Sequence, residues 1–100
     1  MSFGLPAESL AIVLTILRNH PAVESALIYG SRARGNYRPG SDIDLALAGE
    51  SLSSDELRSI ASDLDDSYLP YLVDLTLLPA PPNSLIAAEI SRDGIEFYRR

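Results

Sequence analysis

The segment Asp42-Ile43-Asp44-Leu45-Ala46-Leu47-Ala48 alternates without a break, and no other feature of the chain constrains its fold as much. A period of two marks a β-strand: Ile43, Leu45 and Leu47 face a core, while Asp42, Asp44, Ala46 and Ala48 share the opposite side. Two carboxylates at i and i+2 then stand about 7 Å apart at Cβ, and at an effective dielectric of 20 they repel by about 2 kcal/mol. Strand propensity disfavours aspartate as well. A divalent cation held by the pair, or two bridged ions, offsets that cost directly. The plainer alternative is a solvated outer strand face, which Ala46 and Ala48 on the same side do not favour.

The rest of the chain supplies partners for such a strand. Leu10, Val13, Leu14 and Leu17 recur at helical spacing between Pro6 and Arg18, with His20-Pro21 as the stop. Val23 to Tyr29 reads as a strand that ends at Gly30-Ser31, followed by at most a short helical turn and a loop through Gly40. Ser53 and Glu56 form a capping box, and Leu57, Ile60, Ala61 and Leu64 predict a helix from about Ser54 to Asp66. Asp63, Asp65 and Asp66 crowd its C-terminal end, where the macrodipole disfavours negative charge, so early fraying is expected there. Tyr71 to Leu78 reads as a buried strand between Pro70 and Pro79. A connector to Pro82, a helix over Ser84–Arg92, a turn at Asp93-Gly94 and a last strand over Ile95–Tyr98 complete the order. The expected fold class is α/β (α+β): one mixed sheet with helices packed on it, in a single domain over 1–100.

Composition narrows the chemistry. All eight basic residues are arginine, His20 is the one histidine, and cysteine is absent. A lysine Schiff base, a Gly-Lys-Ser/Thr phosphate loop, a cysteine nucleophile, a thiolate metal centre and a disulfide framework are therefore excluded. Carboxylates, hydroxyls, arginines and backbone amides remain, and the metals that suit them are magnesium, calcium and manganese. The net charge of −6 argues against direct nucleic-acid binding, although Arg32, Arg34 and Arg38 cluster. No apolar run approaches the roughly 20 residues of a membrane span, and the N-terminus lacks a basic-then-apolar leader, so a cytoplasmic location is expected.

Two further features join the aspartate pair. Gly30-Ser31 after a strand is either a plain turn or a nest of backbone amides with a hydroxyl, suited to phosphate oxygens. Asp74, between Leu72, Val73, Leu75 and Leu77, is expected in the sheet interior, where an unpaired carboxylate costs several kcal/mol. It pairs there with an arginine or, if its strand lies beside that of Asp42 and Asp44, completes a carboxylate triad. In such a triad two carboxylates hold metal and the third takes a proton from an attacking hydroxyl. Arg32 and Arg38 read as solvated loop residues and Ser41 as a turn residue. The five tyrosines follow no single period and read mainly as core edge or interface, with one free to stack on a base.

Gly30-Ser31, then Asp42-Ile43-Asp44, then Asp74 on a later strand resembles the signature of the polymerase-beta-like nucleotidyltransferase superfamily. Gly30-Ser31-Arg32-Ala33-Arg34-Gly35, Ser41-Asp42-Ile43-Asp44-Leu45 and the C-terminal Ile90–Tyr98 are similar in particular to the minimal nucleotidyltransferase (MNT) family. The resemblance implies ATP bound with two Mg2+ ions: Gly30 and Ser31 on the β- and γ-phosphates, Asp42 and Asp44 on the metals, and Arg34 near the phosphates. Asp74 would bind the second metal and activate an acceptor hydroxyl for in-line attack on the α-phosphorus.

The resemblance also implies a partner. Larger members of the superfamily carry a helical domain that presents the acceptor, and 100 residues leave no room for one. In the MNT family the missing half is often a HEPN-type ribonuclease toxin. The expected protein is then its antitoxin, in a hetero-oligomer, transferring AMP from ATP to a hydroxyl of the toxin, a tyrosine. An acidic surface suits a basic, RNA-binding partner. The alternatives are a non-catalytic antitoxin that neutralises its partner by occlusion, and nucleotidyl transfer to a small-molecule hydroxyl.

Overall fold

The computed structural model describes residues 2–100. Its elements are α1 (Ala7–Arg18), β1 (Ser25–Tyr29), α2 (Ser31–Arg34), β2 (Ile43–Ala48), α3 (Ser54–Asp65), β3 (Val73–Leu77), α4 (Leu85–Asp93) and β4 (Ile95–Arg99). The strands form one mixed sheet in the order β3-β2-β1-β4, with β1 antiparallel to β2 and β4, and β2 parallel to β3. The short β1–β2 connection carries α2, and the parallel β2–β3 step crosses over through α3, as a parallel pair requires.

Alternation along β2 sorts the two faces as expected. Ile43, Leu45 and Leu47 are fully buried with Ala26 and Ile28 of β1 beneath Val13 and Leu17 of α1 and Ile60 and Leu64 of α3. At about 1.5–3 kcal/mol for each large apolar side chain withdrawn from water, this layer is the main source of stability. The opposite face carries a smaller cluster, Tyr29, Ala46 and Ile90, under α4. Ala46 is fully buried there, so this side of β2 is not a solvated outer face.

The capping box at α3 is present: the Ser53 hydroxyl accepts from the Glu56 N–H at 3.3 Å. The helix runs to Asp65, within a residue of the expected end and without the expected early fraying; near that end Asp63 is engaged by His20, whose Nε2 lies 2.6 Å from Asp63 Oδ2 while Nδ1 lies 3.2 Å from Glu56 Oε2. Burial pulls the imidazolium pKa down, but the hydrogen bonds and charges of Asp63 and Glu56 outweigh it and hold the value above the usual 6.5. His20 thereby ties the end of α1 to α3, a contact with no local trace in the sequence.

Topology also corrects β3. It is an edge strand, half-buried along most of its length, and Asp74 is exposed instead of interior. A nearly continuous apolar run looks the same whether its strand ends up central or at an edge, because neighbours distant in sequence decide the difference.

Candidate active site

Strand register brings the carboxylates together. Asp44 is the register partner of Tyr29 on one side and of Asp74 on the other, so the three form a row across β1, β2 and β3. Register partners share a face, and that face is the one opposite α1 and α3. Asp42 lies just ahead of β2 and is exposed.

The row lacks compensation. Burial raises the Asp44 pKa above its ordinary value, and the charges of Asp74, Asp42 and Glu89 push it further, with Arg34 alone opposing. Tyr29 is shifted upward too, first by burial and then by Asp44, Asp74 and Glu89, against a hydrogen bond of 2.9 Å between its hydroxyl and that of Thr76. Glu89 of α4 and the Tyr29–Thr76 pair are site neighbours that sequence reasoning missed. Only the three-dimensional crossing of α4 over the sheet reveals Glu89. Tyr29 and Thr76 could have been found as residues adjoining Gly30 and Asp74.

Gly30 is required twice over. Its φ of 75° and ψ of −155° belong to a region essentially closed to side chains. An added Cβ would also collide with Asp44 Oδ2 and come within 3.3 Å of Asp44 Cγ. The turn therefore rests its backbone against the Asp44 carboxylate and starts α2 at Ser31, beside the acidic row.

The arginines divide. Arg34 Nη1 donates to Asp93 Oδ2 at 3.1 Å, joining α2 to the end of α4, while its charge reaches Asp44. Arg38 is exposed, and its N–H donates to Ser41 Oγ at 2.8 Å, so Ser41 is the expected turn residue. Arg32 overturns the expectation of a solvated loop residue: it is 3% exposed. Nε and Nη2 donate to the Ser41 carbonyl at 3.1 and 2.8 Å, and Nη1 donates to the Phe3 carbonyl at 2.9 Å. The rings of Tyr37 and Tyr71 lie 5.2 and 4.9 Å from the guanidinium carbon. Two carbonyls that receive Nε, Nη1 and Nη2, and two aromatic faces, explain why a charge is tolerated here. The clamp holds the residue immediately before Asp42, so it sets the approach of that carboxylate to the row. Nothing local distinguishes Arg32 from Arg34 or Arg38. Its partners lie on three separate segments.

Among the described residues no three His, Cys, Asp or Glu side chains are gathered into a ready-made metal cage. The carboxylates form a row beside a turn. The donor set is nevertheless all oxygen, and the charges crowding Asp44 leave a negative potential that a hard divalent cation neutralises. Asp44 and Asp74, paired in register, with Asp42 just ahead of β2, are the carboxylates such an ion would meet. Among the described residues no helix is long and apolar enough to cross a membrane.

Comparison with known proteins places the fold. A probable protein adenylyltransferase, MntA of Haemophilus influenzae, is 37% identical over 75 residues, which are 71% of this chain and 63% of that relative. This chain thus spans less than two thirds of that relative's length. A crystal structure of a toxin-antitoxin with AMP-PNP superposes with a TM-score of 0.71 at 22% identity, covering 91% of this chain and 73% of that one. The complex of tri-AMPylated Shewanella oneidensis HEPN toxin with MNT antitoxin gives 0.58 at 19% identity, covering 93% and 71%. At these identities the two structures speak for the fold. The family model described as "Polymerase beta, Nucleotidyltransferase" matches residues 13–100, and with Gly30, Asp44 and Asp74 converging within that span, the chain belongs to this nucleotidyltransferase family.

Proposed function

We propose that the chain transfers AMP from ATP, with magnesium, to a tyrosine hydroxyl of a HEPN-type toxin, and that it acts as that toxin's antitoxin. The observation that carries this reading is the register pairing of Asp44 with Asp74, with the Gly30 turn seated against the Asp44 carboxylate. The similarity to the probable protein adenylyltransferase of Haemophilus influenzae supports the reaction class. The toxin-antitoxin complexes with the same fold support the partner class.

In this reading Asp42, Asp44 and Asp74 hold two magnesium ions, which supply charge neutralisation for the triphosphate and the leaving group. The amides around Gly30 and Ser31 take phosphate oxygens, and Arg34 supplies the nearest positive side chain. Asp74, the most accessible carboxylate of the paired row, accepts the acceptor's proton. As the hydroxyl oxygen bonds to the α-phosphorus, the bridging bond to the β-phosphorus breaks and pyrophosphate leaves with the electron pair. Catalysis is then mostly positioning and electrostatics, which the rigid strand pair provides. The role is that of a hetero-oligomeric, cytoplasmic protein that does not itself clamp nucleic acid.

Incubation of the chain with α-labelled ATP, magnesium and the co-purified partner checks the proposal. The partner becomes labelled, and Asp44→Asn or Asp74→Asn removes the label. If both variants still protect cells from the partner as well as the parent does, neutralisation is by occlusion and the catalytic role is wrong.

A further inference from the structure

Edge strand β3 has an open ladder beside Asp74. Its inner side is paired with β2: Ile43 N–H donates to the Leu72 carbonyl at 2.9 Å, and Leu78 N–H donates to the Leu47 carbonyl at 2.8 Å. Parallel strands alternate, so these two bonds fix the direction of every group between them. The main-chain groups of Leu72, Asp74, Thr76 and Leu78 point to β2, and those of Val73, Leu75 and Leu77 point outward. Among the described residues β3 pairs with no other strand. A groove runs along this edge, floored by Leu57 and Ala61 of α3 with Val73 and Leu75, and rimmed by Ser54 and Arg58.

We infer that the acceptor protein docks here by strand addition: an extended segment pairs with Val73, Leu75 and Leu77 and so presents its hydroxyl to Asp74. Rows of unpaired donors and acceptors select a peptide main chain. Alternation then specifies the side chains. The residue opposite Asp74 shares its face, with Cβ atoms about 4.5–5.5 Å apart in an antiparallel pairing, while its two neighbours turn into the apolar groove. The segment is therefore apolar, hydroxyl-bearing, apolar. Charge disfavours a second copy of this chain as the occupant. Antiparallel pairing of two β3 strands would bring the Asp74 and Asp44 carboxylates of both copies towards one another across the seam, in a chain that already carries −6. A basic segment is complementary instead.

The inference rests on the adenylyltransferase reading for the meaning of the hydroxyl, but its binding test does not. The probe is the capped peptide Arg-Val-Tyr-Val-Arg, added at millimolar concentration to the whole chain while amide hydrogen exchange is followed residue by residue by NMR. Exchange at Val73, Leu75 and Leu77 slows, and the effect is lost with a peptide N-methylated at alternate residues. Ala61→Arg fills the groove without touching the ladder and weakens binding, while its unchanged amide spectrum elsewhere shows that the fold persists. No protection at these amides, protection that does not depend on the peptide's N–H groups, or protection that grows with protein concentration alone each overturns the inference. Protection by the peptide together with no labelling of the co-purified partner from α-labelled ATP and magnesium leaves strand addition standing and contradicts the adenylyltransferase reading.

Discussion

The two faces of the central strand β2 treat charge in opposite ways. Beneath α1 and α3 the charged groups are answered: the one histidine sits between Glu56 and Asp63, and Arg32 nearby has carbonyl partners for Nε, Nη1 and Nη2. On the other face Asp42, Asp74 and Glu89 act together on the half-buried carboxylate of Asp44, with Arg34 as the counterweight, and Arg34 is itself shared with Asp93. A fold that satisfies its charges on one side and leaves them crowded on the other has given up stability where a ligand is to bind.

Adjacent residues on β2 provide the sharpest way to break that comparison. Leu45→Ala removes a fully buried side chain from the dry face and lowers stability by about 2–5 kcal/mol in urea denaturation. Asp44→Asn removes the crowded charge and raises the stability of the metal-free chain at pH 7 by on the order of 1 kcal/mol, a Tm increase of about 4–8 °C for a domain of this size. A loss of stability from Asp44→Asn would mean that the acidic face is structurally compensated after all.

Arg32→Lys comes next. Lysine keeps the charge but cannot reproduce the fork onto Ser41 and Phe3 or the stacking between Tyr37 and Tyr71, and a cost of about 2 kcal/mol is expected. Because the clamp holds the residue before Asp42, magnesium-dependent nucleotide binding should weaken as well. An unaffected affinity would confine Arg32 to stability.

The smallest effect is the pH dependence at His20. Its folded pKa lies above the unfolded 6.5, so its contribution is complete below pH 6.5 and is lost as pH rises through the raised folded value. Denaturation midpoints measured upward from pH 6.5 should fall in the parent and stay flatter in His20→Gln. Parallel curves for the two would show that folding does not raise the His20 pKa.

Much of this is legible in the sequence. Alternation placed Ile43, Leu45 and Leu47 in the core, Ser53 and Glu56 marked the start of α3, and the mixed sheet followed from the element order. The pairing of Asp44 with Asp74 was readable as a possibility, because i, i+2 carboxylates and a lone strand aspartate are each costly without a shared purpose. What escaped was set by long-range neighbours. The edge position of β3 exposes Asp74, the carbonyls of Phe3 and Ser41 bury Arg32, and Glu56 and Asp63 hold His20 against α3. None of these depends on residues close in sequence.

The central claim is that the row of Asp44 and Asp74 with the Gly30 turn is a metal-nucleotide site. Isothermal titration of the chain with AMP-PNP, with magnesium and with the metal chelated away, tests it without requiring an acceptor. The account predicts saturable binding that needs magnesium and that Asp44→Asn abolishes while the variant's Tm stays at or above that of the parent. Magnesium-independent binding, or undiminished binding by a folded Asp44→Asn chain, would contradict it.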